Sequence, residues 1–391
     1  MFNKDEIKLA LTSTTWDESE LEAIANVLSS SKLTMGKKCE DFEKLFAEKF
    51  GSKYSIMVNS GSSANLLMVF AMKLRNKHDF GDEVIVPALS WSTTFSPLQQ
   101  AGYKLKFLDI DLKSLCIDDK AIEAAISKKT VAIFAANILG QTCDYKKLLE
   151  ICKKYDLTLL EDNCESMGAV FDDKFSGNFG HMASFSTFYS HHISTIEGGI
   201  ITTNDEVYYQ YLLALRAHGW TRNLPIENIF EVKTNDPWDD LFRFVIPGFN
   251  VRPMEIQGAT GITQLKKIDN FLEMRRKNAE VFVNLFSKIP GVIIQEGPAN
   301  SSWFGFSIIL QNPKQNRREL IDILTKKGVQ TRPIVTGNFV LNPTINYYDY
   351  EVQGDLKNTN LAHNNGFFIG NHHFDITSEI QKIASVVENF N

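Results

Sequence analysis

The pattern of apolar and polar positions divides this chain into two stretches. Up to about residue 250, helical and strand periods alternate. "SELEAIANVLSS" places Leu21, Ile24, Ala25 and Leu28 on one helical face. "SGSSANLLMVFAMKLR" opens on small polar residues and continues as an apolar helix from about Ser63. "DEVIVPAL" and "YKLKFLDI" read as strands, and "DDKAIEAAISKK" as a helix opened by Asp118 or Asp119. "TVAIFAANILG" is a buried strand, "DYKKLLEICKKYD" a helix and "LTLLEDN" another strand. "SFSTFYSHHISTIEGGIITT" reads as an aromatic strand, a polar corner with two histidines, and a turn into a second strand. Such alternation predicts a mostly parallel sheet covered by helices.

Past Pro247 the character changes. "MEIQGATGITQLKKIDNFLEMRRKNAEVFVNLF" reads as long helices, followed by the strands "GVIIQE" and "SWFGFSIIL". The helix "RRELIDILTKKG" and the amphipathic helix "SEIQKIASVVENF" complete a smaller α+β unit. The expected division is a large domain over 1–255 and a small one over 256–391. The N-terminal segment is left free to pack on the small domain.

Three polar clusters lie at strand ends or helix starts, where open parallel sheets gather ligands. In "NSGSSANLL", Gly61 permits close backbone approach, and Ser62 and Ser63 open a helix whose free N–H groups suit a phosphate. A plain helix cap is the alternative. In "LLEDNCESMGA", an apolar strand ends in Glu161 and Asp162, with Glu165 three residues on. Acids leaving a buried strand need hydrogen-bond donors or a cation. An Asp facing a pyridine nitrogen would keep that ring protonated; an Asp capping the next turn is the plainer possibility. The third cluster is the corner itself, with Ser186, Ser190 and His191 ahead of "EGG".

These clusters together resemble the DegT/DnrJ/EryC1/StrS family of sugar aminotransferases, pyridoxal-phosphate enzymes of fold type I. The likeness runs from "LTMGKKCEDFEKLFAEKFG" through "SGSSANLL", "VPALSWSTTFSPLQQAG" and "LEDNCESMGA" to "RAHGWTRN" and "PGFNVRPMEIQGATG". It implies a large domain with a mostly parallel seven-stranded sheet flanked by helices, plus the small domain. It also implies roles. Gly61, Ser62 and Ser186 would bind the cofactor phosphate. Trp91 would stack on the ring and Asp162 would pair with its nitrogen. Asn250 would reach the phosphate of a neighbouring subunit, so a homodimer with shared sites is expected. His218, Arg222, Arg252 and Arg332 are candidates for the sugar, diphosphate or a carboxylate. Surface ion pairs are the alternative for each arginine. Glu165 stands where many relatives have glutamine, beside the ring or near a leaving hydroxyl.

One departure from the family pattern is chemical. Aminotransferases of this family carry a lysine six residues before the Glu of "EGG", where it forms an imine with the cofactor aldehyde. Here that position is His191, and no lysine occurs between Lys174 and Lys233. An imidazole forms no stable imine with an aldehyde. The cofactor, as pyridoxal or pyridoxamine phosphate, is therefore expected to be held non-covalently. With an ordinary pKa near 6.5, a histidine can still move protons at neutral pH. Elimination can then win over amine transfer. Resemblance to a histidine-bearing branch implies 3-dehydration of a nucleotide-linked 4-keto-6-deoxy sugar. GDP-4-keto-6-deoxy-D-mannose is the expected substrate and L-glutamate the amino donor, on the route to GDP-colitose of O-antigen. A 4-aminotransferase with its lysine elsewhere and a non-catalytic binding relative stay open.

Composition narrows the field. The 391 residues are 43% hydrophobic, enough for a large core and two domains. A net charge of -6 offers no basic footprint for nucleic acid. No apolar run approaches the roughly 18 residues of a membrane span, and the N-terminus lacks a signal peptide's apolar segment, so a cytoplasmic location is expected. Five scattered cysteines without C-x-x-C indicate neither zinc nor a disulfide framework. They also argue against a second histidine-bearing branch that uses an iron–sulfur centre.

Overall fold

The computed structural model describes residues 7–230, 234, 236, 238–297, 300–312 and 316–390. Its large sheet has eight strands. They lie in the order Tyr54–Val58, Gly199–Thr203, Met182–Ser186, Thr158–Asp162, Thr130–Ala136, Glu83–Pro87, Lys104–Leu108 and Tyr350–Val352. Pairing is parallel from Met182–Ser186 to Tyr350–Val352. Gly199–Thr203 runs antiparallel to both of its neighbours. Seven strands thus come from the first stretch of the chain, and Tyr350–Val352 adds an eighth from the C-terminal stretch.

Burial on both faces explains why the central strands read as unbroken apolar runs. Val84, Val86, Leu105, Phe107 and Phe134 pack in a core on one face. Ile85, Leu108, Ile133, Ala135 and Leu159 point into a second core on the other. The helices between strands are closed by local signals. Asp144 caps Tyr145–Tyr155 by accepting from the Lys147 N–H at 3.1 Å, and Lys153 and Lys154 lie at its negative end.

A second, antiparallel sheet joins Val292–Ile294, Gly305–Leu310, Gly366–Gly370 and Thr331–Arg332. Its core draws on the helices Ile268–Phe286, Arg317–Lys326 and Thr377–Phe390, and on Ile7 and Leu9. Leu9 also forms a parallel bridge to Val329.

The first helix departs from simple amphipathic packing. The helix Glu18–Ser30 forms, with Asp17 and Glu20 as its capping box. Yet Leu21 and Leu28 are 61% and 58% exposed, while Val27 and Glu20 are buried. The helix turns its polar Glu20 inward because Gln264 and Lys267 meet that carboxylate at 2.8 and 2.7 Å. Its leucine stripe is left facing outward. Among the described residues, no helix is long and apolar enough to cross a membrane.

Candidate active site

The strand Thr158–Asp162 ends at the middle of the large sheet, and its last two residues are both acids on opposite faces. Their environments differ. The Glu161 carboxylate accepts from the backbone N–H groups of Gly177, Phe179 and Gly180 at 2.7, 2.7 and 2.5 Å. It is a fully satisfied structural anchor. Asp162 Oδ2 accepts from Asn65 Nδ2 and Thr94 Oγ1, both at 2.8 Å, and Oδ1 accepts from the Cys164 N–H at 3.1 Å. Three donors converge on this carboxylate, whose remaining lone pairs can accept another donor.

The donors to Asp162 come from two helix starts. Asn65 lies in the first turns of Gly61–Asn76, and Thr94 in the first turn of Ser92–Gln100. The two starts are tied together by Ser62 Oγ donating to Thr93 Oγ1 at 3.1 Å. Gly61 is required by its surroundings. A Cβ there would lie 2.8 Å from Ser186 Cβ and 2.9 Å from Cys164 Sγ. Gly61, Ser62 and Ser186 are therefore gathered at one helix N-terminus, beside the strand end that carries Asp162. Trp91 immediately precedes the second helix, and its side chain is 56% exposed.

His191 lies on the corner between Met182–Ser186 and Gly199–Thr203. The corner is closed by Tyr189 N–H to Ile196 O at 2.9 Å and Thr195 N–H to Thr187 O at 2.8 Å. Asp162 and Ser184 are register partners, so the corner continues from the strand beside Asp162. His191 Nδ1 is buried and has no hydrogen-bond partner among the described residues. Burial, with the Arg275 guanidinium adding to it, holds the imidazole down to about 4; the Phe188 carbonyl pulls weakly the other way. The Phe304 ring packs against His191 at 5.2 Å between centroids. His192 is fully turned in: Nε2 meets the Ser302 carbonyl at 3.1 Å and must carry the proton there. Burial and then Arg275 hold it well below the ordinary value.

Glu165 accepts from the Leu139 N–H at 2.9 Å. Burial pushes its carboxyl up to about 7, with Asp162 adding to the effect. Among the described residues the one buried lysine is Lys106, which is paired with Glu83 at 3.1 Å and bonded to the Ala125 carbonyl.

The outlying candidates fall into two groups. Asn250 and His218 lie on adjacent backbone segments, joined by an Ala217–Asn250 bridge and by His218 N–H to Phe249 O at 2.6 Å. That strip reaches the phosphate-type loop through Asn59 N–H to Val251 O at 3.0 Å. Both side chains are exposed, and Asn250 Oδ1 accepts from Arg252 Nε at 3.0 Å. Arg222 lies over the Trp220 ring at 5.3 Å. Arg332 is exposed on the small sheet, and no contact joins it to the others. Sequence reasoning missed Asn65, Thr94 and Phe304. The first two sit inside motifs already singled out, on the helix turns that face Asp162; Phe304 carries no local signal.

The model of the DegT/DnrJ/EryC1/StrS aminotransferase family matches residues 14–389, and the chain belongs to that family. Among its relatives is the GDP-4-keto-6-deoxy-D-mannose 3-dehydratase of Yersinia pseudotuberculosis, 49% identical over 98% of both chains. The enzyme of that name from a strain of Escherichia coli is 47% identical over 98% of this chain and 100% of its own. A solved structure of the E. coli dehydratase with bound hydrated PLP superposes with a TM-score of 0.95, covering 98% of this chain and all of the other. Another, of GDP-4-keto-6-deoxymannose-3-dehydratase with a trapped PLP–glutamate geminal diamine, also gives 0.95 at 47% identity, covering 97% and 100%.

Proposed function

We propose that this protein is a pyridoxal/pyridoxamine phosphate-dependent 3-dehydratase. It converts GDP-4-keto-6-deoxy-D-mannose to GDP-4-keto-3,6-dideoxy-D-mannose, with L-glutamate as amino donor and release of 2-oxoglutarate and ammonia. The observation that carries this reading is a histidine at the family's lysine position, beside a carboxylate prepared by three donors. Near-full-length likeness to dehydratases of that name supports it.

The residues fit the cofactor. The small Gly61 lets the helix N-terminus sit directly against Ser186, Asp162 has acceptor capacity, and among the described residues His191 Nδ1 lacks a partner. When bound, the cofactor supplies an amine to condense with the 4-keto group and a ring that accepts electrons. Gly61, Ser62 and Ser186 bind its phosphate, with the helix N-terminus assisting. Trp91 covers the ring face. Asp162 holds the proton of the ring nitrogen. The His191 imidazole accepts a proton and returns it later. A dianionic phosphate nearby raises the basicity of His191 above that of the empty protein. Glu165, with its pKa near neutrality, is placed to serve the departing 3-hydroxyl. His218, Arg222, Arg252 and Arg332 are assigned to the nucleotide sugar and the donor carboxylate.

The working unit is a homodimer in which Asn250 reaches the partner's cofactor phosphate. The outward leucines of Glu18–Ser30 and the exposed Met254 support an apolar contact between copies. The chain is best divided as 1–255 and 256–391, and its place of work is the cytoplasm. Incubation with GDP-4-keto-6-deoxymannose, pyridoxal phosphate and glutamate, followed by mass analysis of the sugar, tests the reading. Net loss of one oxygen atom from the sugar supports it. A 4-amino sugar of unchanged oxygenation at carbon 3 would establish an aminotransferase instead.

A further inference from the structure

The segment from Asn300 to Phe304 crosses from the small sheet to the histidine corner, and every carbonyl along it is held. Arg276 donates to Asn300 O at 3.2 Å through Nη2 and to Ser301 O at 3.1 Å through Nε. His192 Nε2 donates to Ser302 O at 3.1 Å. Asn371 Nδ2 takes Trp303 O at 2.8 Å, and Arg275 Nη1 takes Phe304 O at 3.2 Å. The opposite edge is fastened too, by Ser302 N–H to Gly140 O at 2.9 Å and Phe304 N–H to Leu139 O at 3.1 Å. Gly140 has φ +92°, and a Cβ on it would lie 2.3 Å from the Trp303 nitrogen, so only glycine permits this approach.

This fastening exceeds what packing a loop requires. Arg275 is buried, yet among the described residues it has no ion-pair partner; its bonds go to the carbonyls of Trp303, Phe304 and Asn371. A buried cation without a counter-charge is costly, and an apolar residue could fill the volume. Phe304 presents its ring to His191 at 5.2 Å and to His192 at 5.7 Å. Leu139, which receives the Phe304 N–H, gives its own N–H to Glu165.

We infer that the Asn300–Phe304 arch positions the reacting imidazole: Phe304 is the wall that fixes the His191 ring, and Arg275 and His192 hold that wall in place. The small domain thereby sets the geometry of a proton transfer whose other groups belong to the large one. The inference rests on the dehydratase reading for its kinetic readout, but not for its spectroscopic one. The Arg275 charge serves a second purpose, since it favours the neutral imidazole that can accept a proton.

The test uses the full-length protein with Phe304→Leu, Phe304→Tyr and Arg275→Lys. In the empty protein, the His191 ring resonances, assigned by their loss in His191→Asn, are expected to move in Phe304→Leu and to stay near their wild-type positions in Phe304→Tyr. With cofactor and sugar, kcat is expected to fall about tenfold or more in Phe304→Leu, with KM for the sugar and cofactor affinity nearly unchanged. Arg275→Lys keeps the cation but loses the fork, so kcat falls with KM steady even if Phe304→Leu fails to fold. Unmoved His191 resonances in a folded Phe304→Leu, or equal losses in kcat, cofactor affinity and thermal stability, would overturn the inference. A wild-type protein that dehydrates no sugar defeats the dehydratase reading, and the resonances still decide the placement.

Discussion

The two sides of the candidate site are built on opposite principles. Around Asp162 the donors are polar and convergent: Asn65, Thr94 and the Cys164 N–H meet on one carboxylate. Around His191, which is only half-buried, the neighbour is the Phe304 ring, and among the described residues Nδ1 has no hydrogen-bond partner. The first arrangement fixes a carboxylate by convergent donors. The second leaves a proton acceptor unsatisfied, which suits a charge that appears only during reaction. Burial pushes the Glu165 carboxyl up to about 7, with the nearby Asp162 adding to the effect.

The largest expected effect breaks the histidine side. His191→Asn should lower dehydration about 1,000-fold while cofactor binding persists, measured by steady-state turnover and by absorbance titration with pyridoxal phosphate. Full activity in that variant would remove His191 from the reaction. Next comes the polar side. Asp162→Asn should cost on the order of 100-fold in kcat, the scale of losing one preorganised electrostatic partner. Thr94→Val is gentler. It strips one donor from a buried carboxylate and should cost about 2 kcal/mol of stability by denaturant unfolding. Unchanged stability would mean that Asp162 finds a replacement donor.

The smallest effect separates Glu165 from Asp162 by pH. A carboxyl raised from 4.5 to about 7 holds its proton more tightly in the folded state. Its contribution to stability is full below 4.5 and is lost as pH rises through 7. Glu165→Gln should therefore gain on the wild type in melting temperature between pH 5 and 8, and not below pH 4.5. His191 has the reverse sign. Its folded value lies near 4, below the ordinary 6.5, so its neutral-state contribution is present above 6.5 and fades as pH falls towards 4.

Much of the large domain was legible because its signals are local. Asp144 and the charges at the end of Tyr145–Tyr155 mark that helix at both ends. The Thr130–Ala136 strand is a plain apolar run. The eighth strand was not legible: Tyr350–Val352 is three residues long and pairs with Lys104–Leu108, far away in sequence. The leucine stripe of Glu18–Ser30 was legible as one apolar face, but its exposure was not, because periodicity does not say what covers a face. Within the site, Asp162 announced itself as an acid ending a buried strand. Glu161 looked the same, although strand alternation already separates the two residues onto different faces. Arg275 and Phe304 gave no sign, since their meaning lies in contacts with a corner distant along the chain.

The central claim is that an imidazole occupies the place of a covalent anchor, and intact-protein mass after borohydride reduction in the presence of pyridoxal phosphate tests it most directly. The wild-type protein should show no added mass, and His191→Lys should gain one reduced cofactor per chain. A wild-type chain that carries the cofactor after reduction would mean that a lysine elsewhere does the work, and the account would be wrong.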